Sequence, residues 1–338
     1  MNRRPDGALP PRGIPAGQDS MRFVGIFNCD GGTFRTIDVD TFVSMATAVL
    51  ASRGIELEAR MTEGKALAGA LEKAAADPRA DVLLVGGGDG TISAAAAVCF
   101  RTGKPLAVLP AGTMNFFARA LHVPLNLDEA IAAIASGGFQ EVDIATANGR
   151  PFLNQFSVGL HARLIRIRSG LIYHGRWAKM LASLRAVAGA VSRPLRFEVD
   201  IQTPRGPERR LASGVVISNN LLAEGHLPYA DDLTGGALGV YLAKPMTPGQ
   251  ALRLFAQVIL GRWKSHPRVL ERAVTDVTLT FPKRKRDAVA AIDGELIPLD
   301  ARVELKIHPR GLKVFAPQEL TRYVRPPKPE AGLSQAAQ

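Results

Sequence analysis

The sequence predicts an α/β plus β protein: an N-terminal α/β domain built on a parallel sheet, then a C-terminal antiparallel, β-sandwich-like domain. Three observations carry this. Short, wholly apolar runs alternate with helical patterns up to about residue 145. After that, many short runs follow one another with turn residues between them. The chain has 338 residues, enough for about two domains at roughly 150 residues each.

Taken in order, residues 1–20 hold Pro5, Pro10, Pro11 and Pro15 and read as a disordered leader. The α/β domain spans 21–145. Its short runs Phe23–Phe27, Ile55–Met61, Val82–Val85 and Leu106–Leu109 predict strands. Val39–Ala51, Lys65–Ala76, Ile92–Phe100 and Met114–Leu121 predict the helices between them. Strands apolar throughout belong in a parallel sheet covered on both faces. The β-rich domain spans 146–318. Its strands are predicted at Leu195–Thr203, Leu211–Ser218, Leu238–Ala243, Val274–Phe281, Ala288–Ile292, Val303–Ile307 and Leu312–Phe315. Helices are expected near Trp177–Val191 and Pro248–Leu260. Residues 319–338, with Pro326, Pro327 and Pro329, read as a mobile tail.

Composition narrows the function. Forty-two Lys and Arg against 31 Asp and Glu leave a net charge of +11, which favours an anionic partner such as nucleic acid, a phosphorylated cofactor or a membrane surface. Aromatic residues are only 6%, too few for the stacking platforms of single-strand nucleic-acid binding. No run approaches ~18 consecutive apolar residues, so no transmembrane helix is expected. The first residues lack the apolar core of a secretory signal. Cys29 and Cys99 cannot build a disulfide framework or a four-cysteine zinc site. The expected setting is reduced and cytoplasmic.

The sharpest motif is Gly86-Gly87-Gly88-Asp89-Gly90-Thr91, a glycine loop between an apolar strand and an alanine-rich helix. Glycines let backbone approach a phosphate, and a helix N-terminus adds partial positive charge. Asp89 would repel a bare phosphate, so a nucleotide with magnesium fits better. A second strand–loop–helix follows at Pro110-Ala111-Gly112-Thr113-Met114-Asn115, where Thr113 could equally be a helix N-cap. Asn28 and Thr62 end two further runs. Parallel strands would bring all of these to one sheet edge, the ligand edge of α/β folds. Farther on, Asp293-Gly294-Glu295 sets two carboxylates across a glycine, which alone reads as a solvated hairpin turn.

These residues carry a resemblance. Gly87-Gly88-Asp89-Gly90-Thr91, Pro110–Asn115 with Ala118-Arg119, Asn154–Gly159, Ser218-Asn219-Asn220 and Asp293-Gly294-Glu295 resemble, in this order, the diacylglycerol and sphingosine kinase catalytic-domain family. The likeness is greatest to its soluble bacterial lipid kinases and covers roughly residues 22–316. It implies an ATP-dependent lipid kinase with its active site in the cleft between the two domains. Asn28, Thr62, Gly87, Gly88, Asp89, Gly90, Thr91, Gly112, Thr113 and Asn115 would then surround ATP. Asp89 and Asp293 would hold Mg²⁺, Glu295 would take the acceptor's proton, and Asp143 would lie near the reacting groups.

The sequence departs from the family pattern in places. Asn28-Cys29 stands where Asn-Pro is usual, and Asn115-Phe116-Phe117 where many relatives have Asn-Asp-Phe. Near Thr234–Gly236 the aspartate that helps bind a structural magnesium is missing, with Asp231 and Asp232 as possible substitutes. The expected partners are a membrane lipid substrate and a peripheral anionic membrane surface, not nucleic acid. Lys283–Arg286 could supply that membrane contact or be a solvated turn. His161, His174 and His226 show no metal-ligand spacing. Two alternatives stay open: an NAD kinase-like enzyme acting on a soluble ribose, which shares the Gly-Gly-Asp-Gly-Thr element, and an inactive nucleotide- or lipid-binding regulator.

Overall fold

The computed structural model describes residues 20–30, 32–169, 196–223 and 229–317. The leader apart from residue 20, the tail, the helix expected near Trp177–Val191, His174 and His226 lie outside them. The first half alternates as expected: β1 (Met21–Asn28), α1 (Val39–Ala51), β2 (Ile55–Thr62), α2 (Leu67–Ala76), β3 (Val82–Gly87), α3 (Asp89–Thr102) and β4 (Leu106–Pro110). β1 pairs in parallel with β2 and β3, and β3 with β4. Every residue of β3 and β4 is buried, which is why both are apolar throughout. Polar caps set the helix ends. Asp38 accepts from the Asp40 and Thr41 amides at the start of α1, and Gly103, with φ of 73°, ends α3 in the left-handed conformation.

The next elements are α4 (Phe116–Ala120), α5 (Leu127–Ala135), β5 (Gly138–Ala147), β6 (Arg150–Phe152), β7 (Gln155–Gly159) and α6 (Leu160–Ser169). Then follow β8 (Phe197–Thr203), β9 (Gly206–Ala212), β10 (Gly214–Ser218), β11 (Leu238–Ala243) and α7 (Pro248–Ile259). The last are β12 (Val269–Val274), β13 (Asp276–Thr280), β14 (Val289–Ile292), β15 (Glu295–Pro298) and β16 (Arg302–Ala316). A second sheet, wholly antiparallel, runs β12-β11-β10-β7-β14-β15.

One sheet runs from the first half into the second. The first sheet continues from β4 through β16 and β13 to β8 and β9. The expected boundary at 145 falls inside β5, which pairs with β16 along its length. The expected strands Val303–Ile307 and Leu312–Phe315 are one strand, with a register shift between His308 and Leu312. Leu312, Val314 and Phe315 complete the core formed by Phe23, Ile26 and Leu84. Val303, Leu305 and Ile307 complete the other, with Phe156, Val215 and Ile217. The apolar run broken by His308-Pro309-Arg310-Gly311 hides this continuity, because the shift lets a polar stretch sit inside a strand.

Leu312 is fully buried at this junction. Leu312→Ala is expected to cost about 2–5 kcal/mol in urea unfolding. Because β16 serves both cores, hydrogen exchange should show β1 and β13 losing protection together; loss from β1 alone would mean that the halves unfold independently.

Candidate functional site

The carboxyl ends of β1, β3 and β4 bring three loops together. Asn28 Nδ2 donates to Thr91 Oγ1 at 3.0 Å, and the Thr33 amide donates to the Ala111 carbonyl at 2.9 Å. A Cβ at Gly112 would sit 2.6 Å from the Gly88 Cα, so the second and third loops meet backbone to backbone. Thr62 is buried at the same edge, opposite Asn28 in register. The structure thus brings Asn28, Thr62, Gly87, Gly88, Asp89, Gly90, Thr91, Gly112, Thr113 and Asn115 to the carboxyl edge of the first sheet.

Asp89 does local work there. Its carboxylate accepts from the amides of Asn115 at 2.9 Å and Phe116 at 2.7 Å, capping α4 from another part of the chain. Asn115 holds the N-cap position with φ of 52°, and its side chain both accepts from and donates to Gly112 backbone at 2.9 Å. Thr113 is therefore not the cap and is exposed. At the start of α3, Gly88 offers no side-chain cap, so the first amides of a 14-residue helix keep their donors for an anion.

The second sheet meets these loops through Asp293. Asp293 and Gly294, with φ of 47° and 86°, form the two-residue turn between β14 and β15, the conformation an Asp-Gly hairpin favours. Asp293 Oδ2 accepts from Ser93 Oγ at 2.6 Å and the Leu153 amide at 2.8 Å. Its Oδ1 accepts from the Asn154 and Gln155 amides at 2.8 and 2.9 Å. Burial pushes its pKa up, and these donors pull against that. Ser93 lies four residues after Asp89, on the same face of α3.

Glu295, next in the hairpin, is exposed and pairs with Arg150 at 2.6 Å. Asp143 is placed differently. It is fully buried, and its carboxylate accepts from Asn220 Nδ2, the Gly236 amide and the Arg310 amide at 2.6–2.8 Å. Asn219 Nδ2 bridges the Asp143 and Leu153 carbonyls at 3.0 and 3.1 Å, linking this group to the Asp293 turn.

The donor set bears on magnesium. Among the described residues no three His, Cys, Asp or Glu side chains group to hold a metal ion. Both Asp293 oxygens already take two bonds, so ligation there would displace a donor. Each Asp89 oxygen takes one and keeps room for a second partner. One carboxylate plus phosphate oxygens and water fits magnesium, which rarely needs an all-protein cage. Asp232 is spent on the Thr234 amide and hydroxyl at 2.7 and 2.8 Å. A cavity of about 420 Å³ lies elsewhere, on the β8–β9 face, lined by Asp200, Gln202, Arg209 and Thr278 and by none of the candidate residues.

Sequence reasoning missed Ser93, Arg150 and Arg310. Ser93 was findable from its spacing to Asp89. Arg150 follows Asn148-Gly149, whose φ values of 47° and 79° make a second hairpin turn that the dipeptide signals.

Residues 22–147 match the family model described as the diacylglycerol kinase catalytic domain. An uncharacterised protein from Synechocystis is 28% identical over 253 residues, covering 70% of this chain and 55% of its own length. The chain thus spans about half of that relative. The diacylglycerol kinase of Staphylococcus saprophyticus is 25% identical, with 71% of this chain and 78% of that protein covered. A solved diacylglycerol kinase structure from Bacillus anthracis superimposes with a TM-score of 0.62 at 18% identity, covering 87% and 96% of the two chains. Another structure from that organism reaches 0.70 at 21%, covering 89% and 97%. At these identities the solved structures show the fold.

Asp143 and Glu295 should separate cleanly in stability. Asp143→Ala strands three donors, that of Asn220 buried, and is expected to lower unfolding free energy by about 3 kcal/mol or more. Glu295→Gln removes only an exposed pair and should change it by less than about 1 kcal/mol. Equal effects in urea titrations would contradict this assignment.

Proposed function

We propose, from the match of residues 22–147 to the diacylglycerol kinase catalytic domain, that the chain transfers the γ-phosphate of ATP to a hydroxyl of a diacylglycerol-like membrane lipid. The observation that carries this reading is the edge where three loops converge on the open N-terminus of α3, tied by Asp89 and joined through Ser93 to Asp293.

Phosphoryl transfer asks for positioning and charge stabilisation more than covalent chemistry. The amides of Gly88, Asp89 and Gly90 would hold nucleotide phosphates, with Asn28, Thr62, Thr91, Gly112, Thr113 and Asn115 around them. Magnesium, when bound, would neutralise phosphate charge, and Asp89 is the residue with room to hold it. Asp293 acts as a positioning residue: it fixes the hairpin against α3 through Ser93. Glu295, exposed and ionisable beside Arg150, would take the proton of the attacking hydroxyl. Asp143 enters this proposal as a buried support for the second sheet and not as a group at the reacting atoms.

The identities of relatives support a lipid acceptor and favour neither an NAD kinase-like enzyme nor an inactive regulator. Among the described residues no helix is long and apolar enough to cross a membrane. Adsorption at the bilayer surface would bring the enzyme to its acceptor.

The direct test is γ-labelled ATP with a total lipid extract and, separately, NAD. Label in a lipid phosphate is expected; label in NADP, or in nothing, would overturn the proposal. Glu295→Gln should keep ATP binding while kcat falls by ~10²–10⁴-fold, and turnover within twofold, with chemistry rate-limiting, would remove Glu295 from the mechanism. Gly88→Val should lose ATP binding with its circular dichroism unchanged; a folded variant of normal affinity would unseat the glycine loop. Activity against free magnesium should show one functional class of ion, and a second, tighter class would restore a structural metal site.

A further inference from the structure

The basic run expected to touch membranes is half committed: Lys283 pairs with Glu198 at 2.8 Å and Arg284 donates to the Leu299 carbonyl at 2.6 Å. The chain's positive charge is concentrated elsewhere. Residues 160–197 hold eight Lys or Arg and no Asp or Glu, and residues 243–270 hold five and none. Against a net charge of +11, the rest of the chain is close to neutral. The second of these stretches contains α7.

α7 carries apolar residues on two faces. Ala251 and Leu254 are buried with Tyr241, Met246 and Trp263. Val216 of β10 packs against this group, whereas its neighbours Val215 and Ile217 point into the core between the sheets. α7 thus covers the outer face of the second sheet. The opposite side of α7 presents Leu252, Ala256 and Leu260 at helical spacing, and all three are exposed, Leu252 by 57% and Leu260 by 61%. A fold gains nothing in water from such a stripe.

The stripe is edged with arginines. Arg253 lies beside Leu252 on the helix, and Arg262 follows its C-terminus. Arg253 and Arg268 both lie close enough to His266 to lower its pKa, after burial as the larger cause. None of the three arginines has an acidic partner among the described residues. Thr247 and Gln250 close a capping box at the other end, with Pro248 in the first turn, so α7 is a preformed rigid helix.

An apolar stripe edged with unpaired cations matches a surface with acyl chains beneath anionic headgroups. We propose that α7 is the element that docks this protein on anionic bilayers, Leu252 and Leu260 inserting at the headgroup boundary while Arg253, Arg262 and Arg268 contact phosphates. This rests on the lipid-kinase reading for its purpose, but its chemistry can be tested without turnover. Both helix ends are fixed by the fold, so docking would present the enzyme in one orientation.

The test is co-sedimentation of the full chain with phosphatidylcholine vesicles and with equimolar phosphatidylcholine and phosphatidylglycerol vesicles, without ATP. The wild type should bind the anionic vesicles, and less so as salt rises. Leu252→Ser with Leu260→Ser should weaken that binding by ~10-fold or more, with circular dichroism and ATP affinity unchanged. Arg253→Ser with Arg262→Ser should remove the preference for anionic over neutral vesicles. Wild-type binding in both variants would overturn the proposal. So would a dimer, seen by sedimentation velocity, that the leucine variant abolishes, since the stripe would then face a second copy. Phosphorylation of diacylglycerol in detergent micelles without vesicle binding would sink the docking proposal and leave the kinase reading standing. Vesicle binding lost in the leucine variant, with no phosphorylation of any lipid, would do the reverse.

Discussion

The geometry of the site depends on one carboxylate. Asp293 gathers three consecutive amides and the Ser93 hydroxyl, and so joins the β14–β15 hairpin, the turn before β7 and α3 at a single point. Buried amides without acceptors are costly, so this turn cannot swing away without stranding its donors. The consequence reaches Glu295, whose place in the hairpin is inherited from the turn beside it. Asp89 does the same at the other side by holding the start of α4.

The acidic residues thus divide by environment. Asp89, Asp143 and Asp293 accept hydrogen bonds from backbone or amide groups and hold chain segments together. Glu295 is exposed, and among the described residues its carboxylate pairs with Arg150. In the proposed reaction the first group supplies rigidity and the last supplies proton transfer, with Asp89 able to do both because each of its oxygens keeps an open position. Continuity of the first sheet through β16 adds to this rigidity, since the same strand completes both cores.

Much of this was legible in the sequence. Val82–Val85 and Leu106–Leu109 are strands because wholly apolar runs have no other home in a covered parallel sheet, and the polar residues that follow them had to reach one edge. The hairpin at Asp293-Gly294 follows from the dipeptide's ease at positive φ. What stayed hidden was long-range. Nothing local tells that Asp143 accepts from Asn220, Gly236 and Arg310, residues far apart in the chain. The single strand β16 was read as two because a polar bulge looks like a turn. Periodicity alone marks α7 as a helix, and only burial shows that the core uses Ala251 and Leu254 and leaves Leu252 and Leu260 outside.

Hydrogen exchange with and without a non-hydrolysable ATP analogue and magnesium tests the central claim most directly. Added protection is expected at residues 87–91 and 111–116, and at 153–155 through Asp293. Protection confined to the cavity on the β8–β9 face, with these loops unchanged, would contradict it.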